Sequence, residues 1–171
     1  GNANKCILNS SAAAVSSGYM NSTSPTNQVF TVVNDSDVGT SGYTYMAYCF
    51  ADKQGFSRSG NYTGNGNANG PYVYTGFKPK FILIKNRNRN ENWTLHDNNL
   101  DADYNPNQTV IVPNDQVAKN NNGAFEMDFL ANGFRVISTD TALNQNGEGY
   151  LYLAFAEEPL VSSNNIPATA R

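Results

Sequence analysis

The chain has 171 residues and a mass of 18.6 kDa, the size of one ordinary domain or of one domain with part of another. Charged residues make up 15% of it and the net charge is −3, whereas an average globular protein has roughly 25% charged residues. The 11 Lys and Arg residues supply no extended basic face, which excludes a general nucleic-acid-binding protein. No apolar run approaches the roughly 20 residues of a membrane-spanning helix, so we expect no membrane insertion.

Asparagine largely replaces charge in this sequence. The 27 Asn and 14 Gly residues favour turns, because both tolerate left-handed backbone and Asn also closes Asx-turns. The 10 Tyr, 9 Phe and one Trp are spread along β-patterned runs, whereas disordered segments are poor in aromatic residues. The composition therefore predicts an all-β protein with many polar loops.

The first predicted element is a hairpin within residues 30–51, in which Phe30–Val33 and Gly42–Tyr48 are the strands. A second hairpin is predicted within residues 134–155, and Asn132-Gly133 predicts a tight turn just before it. Further strands are predicted at 72–75, 80–85, 93–96, 109–112, 125–130 and 134–138. Short strands separated by many turns predict an antiparallel β-sandwich of jelly-roll type.

The two predicted hairpins share one sequence pattern. Residues 30–51 and 134–155 are offset by 104 residues at the first Phe (30 and 134) and by 107 at the first Tyr (43 and 150), and the turn absorbs the difference. We therefore interpret residues 1–52 as the closing hairpin of an incomplete first β module and residues 53–171 as a complete module. The incomplete module is expected to be completed from outside itself, because a lone hairpin is marginally stable in water.

The two cysteines are too few for a disulfide scaffold. Cys49 lies within the apolar run 45–50, which favours a small buried thiol. A disulfide bond between Cys6 and Cys49 is the alternative.

Several runs of the sequence together resemble a known type of domain. They are YTGNG at 62–66, GPYVYTGFKPKFILIK at 70–85, WTLHD at 93–97, YNP at 104–106, DFLANGF at 128–134 and YLYLAFAE at 150–157. These runs resemble an uncharacterised repeat domain in virion proteins of tailed bacteriophages, especially tail-fibre-like and appendage proteins of marine and cyanobacterial phages. The resemblance covers residues 60–171, and residues 1–52 resemble a degenerate earlier copy.

The resemblance implies a location on the virion surface and no catalytic residues. It implies other virion proteins as partners and a homo-oligomer, for which a trimer is favoured, since phage appendages commonly associate in threes. The expected function is that of a non-enzymatic structural protein, a tail-fibre or appendage segment that exposes Asn- and Gly-rich loops for host attachment. The alternatives are a capsid decoration or cement protein and a lectin-like carbohydrate-binding module.

The residues themselves carry little sign of catalysis. A hydrolytic triad would need His96, yet no Ser lies in a nucleophile-elbow context and neither Cys has a recognisable signature. Trp93, Leu95 and Asp97 alternate with His96, which predicts that the imidazole points to solvent. A glycosidase needs two facing carboxylates, whereas the acidic residues here are scattered among turns. A polysaccharide-degrading site is retained as an alternative.

Three carboxylates are candidate Ca²⁺ ligands: Asp97, Asp101 and Asp103. The spacing of oxygen ligands resembles the start of a calcium loop, but Pro106 stands where the loop needs Gly and Val112 where it needs Glu. A solvated cluster of Asx-turns is therefore the favoured interpretation. No cofactor is otherwise predicted.

A basic cluster follows the strand predicted at 80–85. Five of the 11 cationic residues fall between Lys78 and Arg89, and the favoured interpretation is a solvated strand edge and its exit loop. The functional alternative is contact with an anionic host glycan or an acidic virion neighbour through Lys85, Arg87 and Arg89. Tyr62 and Tyr104 would stack on sugar rings if they are exposed, whereas the single Trp93 is expected in the core.

Overall fold

The computed structural model describes residues 3–121 and 123–158, and two packed antiparallel sheets dominate it. The strands of the first sheet, in spatial order, are β3 (Ser57–Thr63), β9 (Gly149–Ala156), β5 (Pro79–Asn86) and β6 (Thr94–Asp97). Those of the second sheet, in spatial order, are β4 (Tyr72–Tyr74), β8 (Gly133–Val136) and β7 (Met127–Leu130). The predicted all-β antiparallel sandwich is confirmed.

The core lies between the two sheets, and strand β9 is central to it. Tyr150, Tyr152, Ala154 and Ala156 point inward from β9, while the residues between them are half-buried. This alternation follows from the two-residue period of a strand. The inward residues of the other strands complete one apolar cluster with these: Tyr62, Val73, Ile82, Ile84, Met127, Phe129, Phe134 and Val136.

The predicted strands agree with the structure at most positions. The hairpin turn at Asn132-Gly133 is confirmed, since β7 and β8 pair with Leu130 opposite Gly133. Residues 109–112 form only isolated bridges, in which Val110 pairs with Asn120 and Ile111 with Leu95. Strand β3 was not predicted, because its polar and Gly-rich sequence shows little alternation.

The predicted hairpin within residues 134–155 is wrong, because its two strands belong to different sheets. Strand β8 pairs with β4 and β7, whereas β9 pairs with β3 and β5. The chain crosses between the sheets through the short helix α1 (Thr141–Asn144), whose N-cap Asp140 accepts a hydrogen bond from the Ala142 amide. The sequence pattern of residues 134–155 therefore comes from two strands that face one core from different sheets, and not from one hairpin.

The predicted hairpin within residues 30–51 is also not formed. The structure describes every residue from 17 to 56, and none belongs to a strand. Earlier in the chain, β1 (Asn4–Lys5) and β2 (Val15–Ser16) form a two-stranded sheet. Within the described residues no strand lies on either side of residues 42–49 to satisfy their backbone groups, which accounts for the difference.

The N-terminal residues nevertheless pack onto the first sheet. The indole N–H of Trp93 donates to the Ile7 carbonyl over 2.9 Å, and the Ala14 amide donates to the Arg87 carbonyl over 2.9 Å. Cys6 and Leu8 lie against Leu83, Leu151 and Leu153 on the outer face of that sheet. Residues 1–52 are thus partly stabilised by the second predicted module. Cys6 and Cys49 are both free thiols, and Cys49 is exposed rather than buried as expected.

At several loops, asparagine side chains form the hydrogen bonds to backbone groups that a neighbouring strand would otherwise form. The Asn105 amide both donates to the Phe129 carbonyl and accepts from the Phe129 amide, each over 2.9 Å, as a neighbouring strand would. The buried Asn144 accepts from the Asn65 amide and donates to the carbonyls of Asn67 and Ser138, each over 2.8 Å. These bonds fix the loops that the composition predicts. In the part of the chain that the structure describes, no helix is long and apolar enough to cross a membrane.

Candidate functional site

A polar cleft of about 350 Å³ lies where the start of strand β3 faces the end of β4. One wall comes from the first sheet and the other from the second, so the sandwich itself brings them together. The cleft is open to solvent. Its lining residues are Asp52, Lys53, Gln54, Ser57, Arg58, Tyr74, Thr75 and Gly76.

The first wall is a tight turn that leads into β3. The Lys53 amide donates to the Ser57 carbonyl, and the Ser57 amide donates back to the Lys53 carbonyl, over 2.9 and 3.0 Å. Gly55 has a φ of 70°, a left-handed conformation that glycine adopts without strain. Asp52 is fixed beside this turn, because its Oδ1 accepts from both the amide and the hydroxyl of Ser59.

Arg58 is the principal cation of the cleft. Its Nε lies 3.8 Å from the Asp52 carboxylate, and both side chains are about half exposed. An ion pair this exposed contributes little to stability, so both groups remain available to a ligand. Burial raises the pKa of Tyr152 above its ordinary value, and a hydrogen bond with Arg58 offsets part of that effect. Arg58 is thereby positioned between the core tyrosine and the cleft.

The second wall presents an aromatic ring on a rigid support. Tyr74 is 59% exposed, and Tyr72, two residues earlier on the same face of β4, is also exposed. The strand ends in a turn at Gly76, where the amides of Thr75 and Gly76 both donate to the Asn132 carbonyl. The Thr75 hydroxyl donates to the Phe77 carbonyl over 2.6 Å, which holds this turn from inside.

The arrangement suits recognition of a polyhydroxyl ligand. Arg58 and Lys53 donate hydrogen bonds, Asp52 accepts them, and the amide of Gln54 does both. An exposed tyrosine ring adds an apolar surface with a polar tip. Asp52 is the single carboxylate among the lining residues, whereas hydrolysis of a glycosidic bond uses two.

Two of the predicted contact residues are buried, so these predictions are wrong. Tyr62 is stacked on Tyr150 with the ring centroids 4.9 Å apart, and its hydroxyl donates to the Leu143 carbonyl. Lys85 is fully buried, and its ammonium donates to the carbonyls of Ser11, Asn86 and Glu91 over 2.7–3.2 Å. Burial lowers the pKa of Lys85 below its ordinary value. The lysine is a structural tie between loops and does not reach a ligand.

The other predicted contact residues are exposed but lie outside the cleft. Arg89 forms an ion pair with Glu148, to which its Nε donates over 2.8 Å. Arg87 lies beside Gly149, and Tyr104 is 74% exposed after the 3₁₀ helix Asn98–Asp101. Trp93 is half-buried on the outer face of the first sheet. The structure does not bring these residues together into one site.

The candidate Ca²⁺ ligands serve as local hydrogen-bond acceptors. Asp97 caps the 3₁₀ helix by accepting from the Asn99 amide, and Asp103 accepts from Lys80 over 2.8 Å. Asp101 accepts from the amides of Gln108 and Thr109, and burial opposes its ionisation, but these hydrogen bonds outweigh burial and lower its pKa. Within residues 3–121 and 123–158, no group of three or more His, Cys, Asp or Glu residues is placed to hold a metal ion.

The predicted exposure of His96 is wrong. The imidazole is fully buried, and burial lowers its pKa from 6.5 to about 4, an effect that Asn107 and Asp101 oppose only in part. Thr94 and His96 share the inward face of strand β6, and the buried Asn98 follows in the same alternation just after the strand. Neither ring nitrogen of His96 has a hydrogen-bond partner of normal geometry among the described residues. Alternation identified which residues share a face, but not which face is inside.

The cleft itself was missed at the sequence level. Asp52 and Arg58 lie at or near the predicted module boundary, where no site was predicted. One signal was present for Tyr74, because the alternation of Tyr72, Val73 and Tyr74 places both tyrosines opposite the buried valine. Which residues would face Tyr74 depends on the packing of two sheets, which no local pattern reveals.

Comparison with known proteins gives one match. No curated protein and no solved structure matches the chain. The family described as "Domain of unknown function (DUF7483)" matches residues 1–159, so the match runs across the predicted module boundary at residue 52. Since this match spans most of the 171 residues, the chain belongs to the DUF7483 family.

Proposed function

We propose that this protein is a non-enzymatic structural protein of a bacteriophage virion, a segment of a tail fibre or related appendage that attaches to a host-surface glycan. The resemblance of residues 60–171 to virion repeat domains supports the virion surface as its location. The observation that carries the attachment role is the cleft formed by Asp52, Arg58 and Tyr74.

The cleft combines the features that carbohydrate binding requires. The Asp52 carboxylate is held in place by Ser59 and the adjoining turn by two backbone hydrogen bonds, so this acceptor loses little conformational freedom when a ligand binds. Tyr74 offers a ring face for the apolar side of a sugar, and Arg58 and Asp52 offer a donor and an acceptor for its hydroxyl groups. Binding through one shallow cleft is weak, and repetition of the module on an oligomeric appendage strengthens it by avidity.

A glycan array probed with the full chain tests this proposal. We expect binding to a defined group of sugars, weakened about tenfold by Tyr74→Ala, because the ring contact contributes about 1.4 kcal/mol. Tyr104→Ala is the matched control, since it removes another well-exposed tyrosine that does not line the cleft and should leave binding unchanged. No binding to any glycan, or equal losses in the two variants, contradicts the proposal.

A capsid decoration or cement protein is the second candidate. The observation that favours it is the set of exposed apolar side chains in residues 29–50, which suits contact with another protein better than contact with a sugar. These residues are Val29, Phe30, Val32, Tyr43, Tyr45, Met46, Tyr48 and Phe50. Gold-labelled antibodies against the chain distinguish the two candidates: label at the tail supports the appendage, and label over the capsid lattice supports the decoration protein.

A further inference from the structure

The two halves of the internal repeat agree at the positions that form a core. Residues 30–33 align with 134–137, and residues 42–49 align with 149–156. At five alternating positions the residues are identical: Phe30 and Phe134, Val32 and Val136, Tyr43 and Tyr150, Tyr45 and Tyr152, and Ala47 and Ala154. Of the other seven aligned pairs, Gly42 and Gly149 are identical, and six pairs differ: Thr31 and Arg135, Val33 and Ile137, Thr44 and Leu151, Met46 and Leu153, Tyr48 and Phe155, and Cys49 and Ala156.

The structure explains which positions are identical. The five alternating residues of the second copy are all buried in the sandwich core. Five of the six residues that differ are only half-buried, and the sixth, Ala156, is buried. The ring of Phe134 packs edge-on against that of Tyr152, with the centroids 5.4 Å apart. Apart from Gly149 and Ala156, identity therefore follows the inward face of strands β8 and β9.

The first copy places the same five residues around one apolar groove of about 420 Å³. Phe30, Val32, Tyr43, Tyr45 and Ala47 all line this groove, which we call the open core. Tyr43 is 73% exposed there, whereas its counterpart Tyr150 is fully buried. The open core thus holds the inward residues of half a sandwich, without the strands that cover them in the second copy.

The strands on either side of β9 in the second copy show which strands would cover the open core. Strand β9 lies between β3 and β5, and these supply Tyr62 opposite Tyr150, Ile82 opposite Ala154 and Ile84 opposite Tyr152. We propose that the open core is covered by another copy of the strand set in residues 53–132. Residues 42–49 then form a central strand between the β3 and β5 of that copy, and Tyr62, Ile82 and Ile84 of the copy lie opposite Tyr43, Ala47 and Tyr45. This inference does not rest on glycan binding.

The test extends the full 171-residue chain at its N-terminus with a second copy of residues 53–132, so that residues 1–28 act as the connection. Hydrogen exchange is measured by mass spectrometry on the extended and the unextended chain. We expect the amides of residues 42–49 to exchange roughly tenfold more slowly, or slower still, in the extended chain, because they gain ladder hydrogen bonds on both sides. Equal exchange in the two chains overturns the proposal.

Two substitutions in the extended chain check the face that is covered. Ala47→Asp places a carboxylate at the position of buried Ala154 and should abolish the added protection. Tyr48→Asp changes the neighbouring residue, which does not line the open core and whose counterpart Phe155 is half-buried, and should preserve it. Loss of protection in both variants, or in neither, contradicts the proposed register. Dimerisation of the unextended chain with residues 42–49 already protected identifies a whole second chain as the occupant and also overturns it.

Substitution of β9 by the sequence of residues 42–49 provides a measurement that does not depend on folding of the added N-terminal copy. Leu151→Thr, Leu153→Met, Phe155→Tyr and Ala156→Cys together give β9 the sequence of residues 42–49 within the original chain. Since every fully buried large residue of β9 is unchanged, we expect a cooperative thermal transition to remain. A chain that loses this transition shows that residues 42–49 cannot act as such a strand.

Discussion

Stability of this fold should fall as the pH drops from 6.5 toward 4 because of one side chain, His96. Burial lowers its pKa from 6.5 to about 4 in the folded state. Between these values the unfolded chain binds a proton at His96 and the folded chain does not. Acid therefore favours the unfolded state, the contribution of neutral His96 is complete above pH 6.5, and it is lost as the pH approaches 4.

The magnitude follows from the difference between the two pKa values. Each pKa unit corresponds to about 1.4 kcal/mol, so the difference of about 2.5 lowers the free energy of unfolding by about 3 kcal/mol at pH 4. At pH 5.5 the loss is about 1 kcal/mol. Losses of this size are a large fraction of the stability of a small domain. The carboxylates whose pKa values are lowered, Asp37, Asp101, Asp103 and Glu148, act mainly at still lower pH.

Urea unfolding of the full chain at pH 7, 5.5 and 4 measures the effect. The variants His96→Gln and His96→Leu cannot titrate at this position, so both should show about 3 kcal/mol less pH dependence than the natural chain over this range. Comparing pH slopes and not absolute stabilities separates loss of titration from any change in packing. An unchanged pH slope in both variants refutes the assignment of the effect to His96.

Three further predictions concern the buried lysine, the second module and assembly. Lys85→Met should lower the free energy of unfolding by about 2–4 kcal/mol, because three backbone carbonyls, one buried and two part-buried, lose their donor. Lys80→Met removes the surface ion pairs with Asp103 and Glu157 and should cost under about 1 kcal/mol; urea titration of both variants decides. Residues 53–171 expressed alone should melt cooperatively but at a lower temperature than the full chain, because the outer face of the first sheet loses Cys6 and Leu8; a disordered product in circular dichroism contradicts this. Light scattering should give the mass of a trimer for the full chain, as the resemblance to phage appendages implies, and a monodisperse monomer contradicts it.

Sequence patterns predicted this fold best where a strand has one apolar face. Strand β5 and the pair β7 and β8 carry clear alternation and a recognisable turn, and they form where expected. Strand β3 is an edge strand with a polar sequence, and it is defined by pairing with β9, a partner about 90 residues away. Long-range pairing of this kind leaves no local signal.

The candidate site was harder to predict because its residues owe their role to tertiary packing. Tyr62 and His96 looked available from their neighbours, yet the sheet turns both inward. Asp52, Arg58 and Tyr74 come from two sheets that meet only in the folded molecule. The repeat in residues 30–51 was visible in the sequence, but the strands needed to complete it are not supplied by the described part of this chain.

The asparagine side chains that replace backbone ladders have a consequence for the conditions that the fold tolerates. Asn105 pairs with Phe129, and Asn144 joins three separate segments, through neutral amides. Dissolved ions screen attraction between exposed charges strongly but hardly weaken a hydrogen bond between neutral amide groups. Charged residues make up only 15% of this chain, and its loops are anchored by neutral amides. The protein should therefore unfold at nearly the same temperature in about 0.01 M salt as in about 1 M salt. Its loops therefore keep one shape across dilute and saline surroundings, which suits a surface exposed directly to the medium.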